Sequence, residues 1–140
     1  MAEAPVELLQ RVPLFEDFER GDLERLARSF KERTFNAGET VASEGEGGAG
    51  FFVIESGEAV VAVGGDERGR LGPGDYFGDI ALIDMGARTA TVMAESDLHC
   101  YGLTFWDFRP LVETDARVAW PLLQVMAKRL REAEAESPTA

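Results

Sequence analysis

Two residue types that build reactive centres are almost missing from this sequence. Of its 140 residues, one is cysteine, Cys100, and one is histidine, His99. A single cysteine makes no intrachain disulfide, so a reducing cytoplasm is the simplest setting. A single histidine cannot supply the several imidazoles that metal-dependent barrel enzymes gather around an ion. Nor does it stand in a triad pattern with Ser43, Ser56 or Ser96. His99 reads as a strand residue with a satisfied hydrogen bond, and Cys100, its neighbour on the opposite face, as a buried structural thiol. Long apolar runs are also lacking. None approaches the ~20 residues that cross a bilayer, and "MAEAPVELLQ" has neither the basic start nor the apolar stretch of a signal peptide. No membrane partner is expected. Basic residues are scarce, 14 against 26 acidic ones, for a formal net charge of -12. That balance argues against direct DNA binding, because phosphate backbones recruit a surplus of lysine and arginine.

What remains is a chain that is 45% hydrophobic, enough for the core of one domain spanning 1–140. Its texture changes twice. Over 6–30 the apolar spacing is helical, and Leu23, Leu26, Ala27 and Phe30 follow Asp22, a fitting N-cap. Over 31–104 short runs of Val, Ile, Phe and Thr alternate with glycine turns such as "EGEGGAG" and "GPGD". That rhythm predicts an antiparallel β-roll or jelly-roll barrel. "FFVIE" reads as a buried strand, with "EAVVAV" as its hairpin partner. In "RTATVMAE", alternation sets Ala90, Val92 and Ala94 apart from Thr89, Thr91 and Met93, so one face can turn inward. Over 105–136 helical spacing returns in two helices, with Val118, Leu122, Val125, Met126 and Leu130 near one face of the second. Pro121 predicts a kink or a restart there. Trp106 and Trp120 read as packing anchors. The expected class is therefore mostly β with flanking α (α+β): a roll, an N-terminal helical segment and two C-terminal helices. No second domain is expected after the second helix.

The stretch "FGDIALIDMGARTATV", Phe77 to Val92, combines a carboxylate, a glycine and a lone arginine. An anion entering a chain this acidic needs a strong local positive site. Arg88 offers a rigid fork suited to phosphate oxygens. Gly78 permits close backbone approach, and one or two helical turns over "GDIALID" would aim free N–H groups at the same phosphate. Asp79 suits a sugar hydroxyl rather than a phosphate. Thr89 adds a hydroxyl for a phosphate or a base edge. The plainer alternative, which the chemistry alone favours, is an ion pair between Asp79 and Arg88 on a surface loop.

The stretch resembles the phosphate-binding cassette of the cyclic-nucleotide-binding domain family, in the form of the effector domains of catabolite-activator-type regulators. The family pattern, F-G-E-x-A-L and then R-[STA]-A-[ST]-V, is matched by Phe77-Gly78-Asp79-Ile80-Ala81-Leu82 and Arg88-Thr89-Ala90-Thr91-Val92. "GEGGAGFFVIESGEAVVAV" is similar to the family's first hairpin, and the likeness runs from "PLFEDF" to the paired C-terminal helices. The resemblance implies that Arg88 binds the cyclic phosphate together with Gly78 and the amides near Ile80 and Ala81. Asp79 stands where the family has the glutamate that holds the ribose 2′-hydroxyl, and is one methylene shorter. Ala87 replaces a usual proline. Thr89 leaves the base undecided between adenine and guanine. Val61 and Val63 share a strand face and pack either in the core or against ribose or base.

The resemblance implies a non-catalytic sensor of cAMP or cGMP, without a cofactor or metal. Ligand binding would repack the C-terminal helices as a lid over the barrel. The signal would pass to an effector protein of unknown identity, since the helix-turn-helix of the family's transcription factors is not present here. The second helix could also support a homodimer. The rival reading is a ligand-free protein-interaction scaffold with a degenerate cassette.

Overall fold

The computed structural model describes residues 4–43, 45, 50–78, 81–84 and 88–135, with nothing stated for the side chains of Ala81 and Asp84. Two short helical pieces open the chain, α1 (Val6–Leu9) and a 3-10 turn (Pro13–Phe15), followed by α2 (Arg20–Ala27). Leu23, Leu26 and Ala27 of α2 are buried, as their spacing predicts. Asp22 does not cap the helix. Glu19 holds the N-cap position, and Asp22 lies in the first turn with its carboxylate on Arg25.

Among the described residues eight strands follow: β1 (Lys31–Phe35), β2 (Thr40–Ala42), β3 (Gly50–Ser56), β4 (Ala59–Val63), β5 (Asp66–Leu71), β6 (Tyr76–Phe77), β7 (Thr91–Ala94) and β8 (Leu98–Thr104). They form two four-stranded antiparallel sheets, in the orders β1-β8-β3-β6 and β2-β7-β4-β5. The expected roll with helices at both ends is therefore present.

One expected pairing is not. "FFVIE" and "EAVVAV" do not form a hairpin with each other. β3 pairs with β8 and β6, whereas β4 pairs with β5 and β7 in the other sheet. The chain changes sheets at Gly57, whose φ is +92° and where a Cβ would strike the Asp97 carbonyl. Only glycine takes that corner without strain.

The reason β3 is a continuous apolar run is that it is buried on both faces. Phe51 and Val53 join a cluster with Leu9, Leu14, Phe15, Leu26, Phe30, Phe108, Val118 and Leu122. Phe52 and Ile54 face the roll interior, with Ala42, Ala59, Val92, Ala94 and Cys100. In the first cluster Phe15 meets Phe18, Phe30 and Phe51 edge to face at 5.4, 6.4 and 5.8 Å, a geometry that aligns ring edges with ring faces. In β7 Val92 and Ala94 are buried, the inward face that alternation predicts.

A one-turn helix α3 (Ala81–Asp84) precedes β7, and two helices close the chain, α4 (Phe105–Thr114) and α5 (Ala116–Ala135). Thr104 caps α4, its hydroxyl accepting the Asp107 N–H at 3.1 Å. α5 continues through Pro121 as one helix, so the restart expected there does not occur. Val118 and Leu122, buried on either side of the proline, hold the helix together across the missing bond.

Two further expectations are corrected by exposure. Trp106 and Trp120 are each 62% exposed, so neither is a buried packing anchor. Leu130 is also 62% exposed. At about 100° per residue it falls on the flank of Leu123 and Trp120, not of Val118 and Val125.

Candidate functional site

Two segments distant in sequence meet where β6 ends. Gly78 follows β6 with φ +87°, and Arg88 precedes β7. The Arg88 guanidinium lies so close to Gly78 that a Cβ there would collide with Nη1 and with the Gly50 carbonyl. Glycine is therefore required twice at this position, for its dihedral and for the space. Arg88 Nη2 donates to the Gly50 carbonyl at 2.5 Å. The Arg88 carbonyl accepts the Gly45 N–H at 2.8 Å. One end of the arginine is thus tied to the start of β3 and the other to the glycine turn before it.

Neither tie is legible in the sequence. "EGEGGAG" reads simply as a turn, and the carbonyl of Gly50 carries no mark. The nearest signal is the position of the glycine run directly ahead of the buried strand.

Gly50 itself lies under an aromatic platform. The Phe52 ring stacks on Phe77 at 5.3 Å, and a Cβ on Gly50 would be 3.3 Å from the Phe52 ring. The elements that position Arg88 are therefore the rigid ones, β3 and β6, in the sheet covered by helices. α3 connects the site to that helical layer. The Leu82 N–H donates to the Gly78 carbonyl at 3.2 Å, and the Leu82 side chain is fully buried in the cluster that holds Phe108 and Val118.

The electrostatics of Arg88 differ from those of the arginines held in ion pairs. It is partly buried, and burial lowers its pKa from the ordinary arginine range. Among the described side chains no carboxylate forms an ion pair with it, whereas Arg20, Arg25, Arg70, Arg109 and Arg117 all have acidic partners. A partly desolvated guanidinium is a strong attractor for an anion.

The other expected site residues fall as follows. Asp79 and Ile80 lie outside the described residues, and with them the alternative Asp79–Arg88 pair, although Arg88 is not the exposed surface group that alternative assumes. Ala81 opens α3. Thr89 is exposed in the bend after Arg88. Val61 sits on β4, opposite Val92 and Gly69 and half-buried against the roll interior, which agrees with core packing. Val63 is not part of that cluster.

Two side chains set aside from the sequence take the places expected of them. Cys100 is buried in the roll, and desolvation pushes its thiol up to about 12. A thiolate nucleophile needs the opposite shift. His99 lies on the other face of β8, with Nε2 2.5 Å from Glu32 Oε2 and Nδ1 2.7 Å from Glu55 Oε1. Among the described residues no group of three or more His, Cys, Asp or Glu could hold a metal ion, and no helix is long and apolar enough to cross a membrane.

Comparison with known proteins places the chain in a family. Residues 32–115, more than half of the chain, match the model of the cyclic nucleotide-binding domain. The chain belongs to the cyclic-nucleotide-binding domain family and has its β-roll fold. It is 42% identical over 90 residues to the cAMP-dependent protein kinase regulatory subunit of Mycosarcoma maydis, a match that covers 61% of this chain and 17% of that protein. It is 31% identical over 129 residues to the cyclic AMP receptor protein of Thermus thermophilus, covering 89% of this chain and 60% of that one. The chain thus spans only part of the length of these relatives. Its backbone is similar to the N-terminal domain of a transcriptional regulator from Streptomyces coelicolor A3(2), with a TM-score of 0.86, 28% identity, and coverage of 95% of this chain and 99% of that one.

Proposed function

We propose that this chain is a sensor that binds a cyclic nucleotide, cAMP or cGMP, and performs no chemistry on it. The observation that carries the reading is Arg88: partly buried, fixed by the Gly50 carbonyl, and without a carboxylate among the described side chains. In this reading Arg88 pairs with the cyclic phosphate, and Gly78 and the amides near Ile80 and Ala81 complete the cradle. Asp79 accepts the ribose 2′-hydroxyl, Thr89 reaches phosphate or base, and Val61 borders the ribose or base from β4. Two of the curated relatives carry cAMP in their names, which supports the ligand class but does not choose the base.

The signal leaves through α3. Leu82 joins the cassette to the cluster that includes Phe108, Val118 and Leu122, so a shift of the cassette on phosphate binding bears directly on α4 and α5. α5 rests on the N-terminal segment, where Lys128 pairs with Glu16 and lies 3.9 Å from Asp17. Moving it over the roll as a lid requires that the ligand favour that state over the present one. The exposed stripe Trp120, Leu123 and Leu130 is the surface we assign to a second copy of the chain or to an effector protein. We assign the protein to the cytoplasm and give it no direct contact with DNA.

Calorimetric titration with cAMP and with cGMP tests the reading. Saturable heat with one of them, lost in Arg88→Ala, is the expected result. No heat from either nucleotide would overturn it and leave a protein-interaction scaffold in its place.

A further inference from the structure

α4 and α5 are joined by one residue, Asp115, and that residue is held by charge. Its backbone is extended, with φ -137° and ψ 106°, which makes it the natural joint for a change of angle between the two helices. Arg25 of α2 donates through Nη2 to Asp22 at 2.8 Å and to Asp115 at 3.0 Å. Asp115 also accepts Arg117 Nε at 3.1 Å and caps the Arg117 backbone N–H at 3.0 Å. Arg117 Nε lies 4.0 Å from Asp22. Two arginines and two aspartates therefore alternate around a closed ring. The two carboxylates are only 15% and 19% exposed.

This ring differs from the ordinary ion pairs of the protein. Arg20–Glu24 and Arg109–Glu113 join neighbours within one helix. Arg25–Asp115 joins positions 90 residues apart. It ties the N-terminal layer to the joint about which α5 would swing, while Lys128 ties the same helix further along to Glu16. Between the two ties Val118, Leu122 and Val125 are buried. α5 is thus fastened by charge at both ends of an apolar strip.

We propose that the Arg25–Asp115 pair is a clasp that holds α5 on the N-terminal layer and thereby sets the affinity of the roll for its ligand without touching it. The inference rests on the preceding reading that the roll binds a cyclic nucleotide and moves α5 when it does. A ligand that needs α5 elsewhere binds with an apparent affinity equal to the intrinsic one multiplied by the fraction of molecules already released. Opening the clasp raises that fraction, so binding becomes tighter.

Two variants open the pair, each from one side of the ring. Asp115→Asn keeps a side-chain oxygen to cap the Arg117 N–H but removes the charge. Arg25→Met keeps an apolar stem but removes the donors. Each is titrated with cAMP and cGMP, and amide hydrogen exchange along α5 is followed without nucleotide. Each variant is expected to bind roughly two- to five-fold more tightly, the range of a partly exposed ion pair. The double variant should gain no more than either single one, because both remove the same contact. Exchange in α5 should quicken in all three. Unchanged or weaker binding with quicker exchange would overturn the control of affinity, and additive gains would overturn the pairing. If the wild-type protein binds neither nucleotide, it is the preceding reading that fails. The exchange comparison still decides whether the clasp holds α5, since unchanged exchange would sink it.

Discussion

The two hydrophobic clusters of this protein have opposite characters. The one between the sheet and the helices is built from large rings and leucines, Phe15, Phe18, Phe30, Phe51, Leu14 and Leu23 among them, and it takes in every helix from α1 to α5. The one inside the roll is smaller and made largely of slight side chains, Ala42, Ala59, Ala94, Val92 and Cys100, with Phe52 and Phe35 at one end. The first is a packed core of ordinary kind. Of β4 only Ala59 is fully buried in the second, and Val61 packs against that cluster half-buried. In the proposed reading stability and recognition are housed in different layers, and β3, with one face in each cluster, is the strand they share.

Substitutions can break that division or sharpen it. The largest effect is expected from Phe51→Ala, which empties the centre of the ring cluster. It should cost about 3–5 kcal/mol of folding stability, read as a fall in the urea midpoint, while the molecules that remain folded keep their nucleotide affinity. Next comes Gly78→Ala. Its positive φ alone costs of order 1–3 kcal/mol in a residue with a Cβ, and the methyl would displace Arg88 from the Gly50 carbonyl. Nucleotide affinity should fall by more than tenfold, beyond what the loss of stability explains. A Gly78→Ala protein that binds like the wild type would show that this close approach does not matter.

A smaller effect concerns acid. The Arg117 hydrogen bonds hold the Asp115 carboxyl well below its usual range, at about 2. A depressed folded-state pKa gives stability that is present above the unfolded value near 3.8 and is lost as pH falls towards 2. Asp115→Asn should therefore flatten the loss of stability between about pH 4 and pH 2, measured as urea midpoints across that range. An unchanged slope would remove Asp115 from the acid response.

Much of this architecture is legible in the residues because the cues are periodic. Glycine turns bound the strands, β7 alternates, and the helices carry apolar faces at 3.6-residue spacing. The misreadings share a cause, which is that tertiary partners decide what local pattern leaves open. "FFVIE" and "EAVVAV" resemble a hairpin, but a run buried on both faces lies in one sheet while its neighbour in sequence crosses to the other at Gly57. Pro121 reads as a kink or a restart, and the restart does not occur because burial of Val118 and Leu122 on either side offsets one missing hydrogen bond. The tryptophans suggest anchors by their size, yet the strip that docks α5 is aliphatic. At the site, Arg88 and Gly78 stand out by residue type. The groups that hold Arg88, the Gly50 carbonyl and the Gly45 amide, are backbone atoms, which every residue has and no motif reveals.

The most direct test of the separation between stability and recognition is thermal melting of the wild-type and Arg88→Ala proteins, with and without cAMP or cGMP. Ligand that binds only the native state raises the melting temperature with concentration. The wild type should show that rise with at least one nucleotide. Arg88→Ala should melt close to the wild-type temperature without ligand and show no rise with it. An equal rise in both proteins, or an Arg88→Ala protein that does not fold, would contradict the claim that Arg88 serves recognition and not the core.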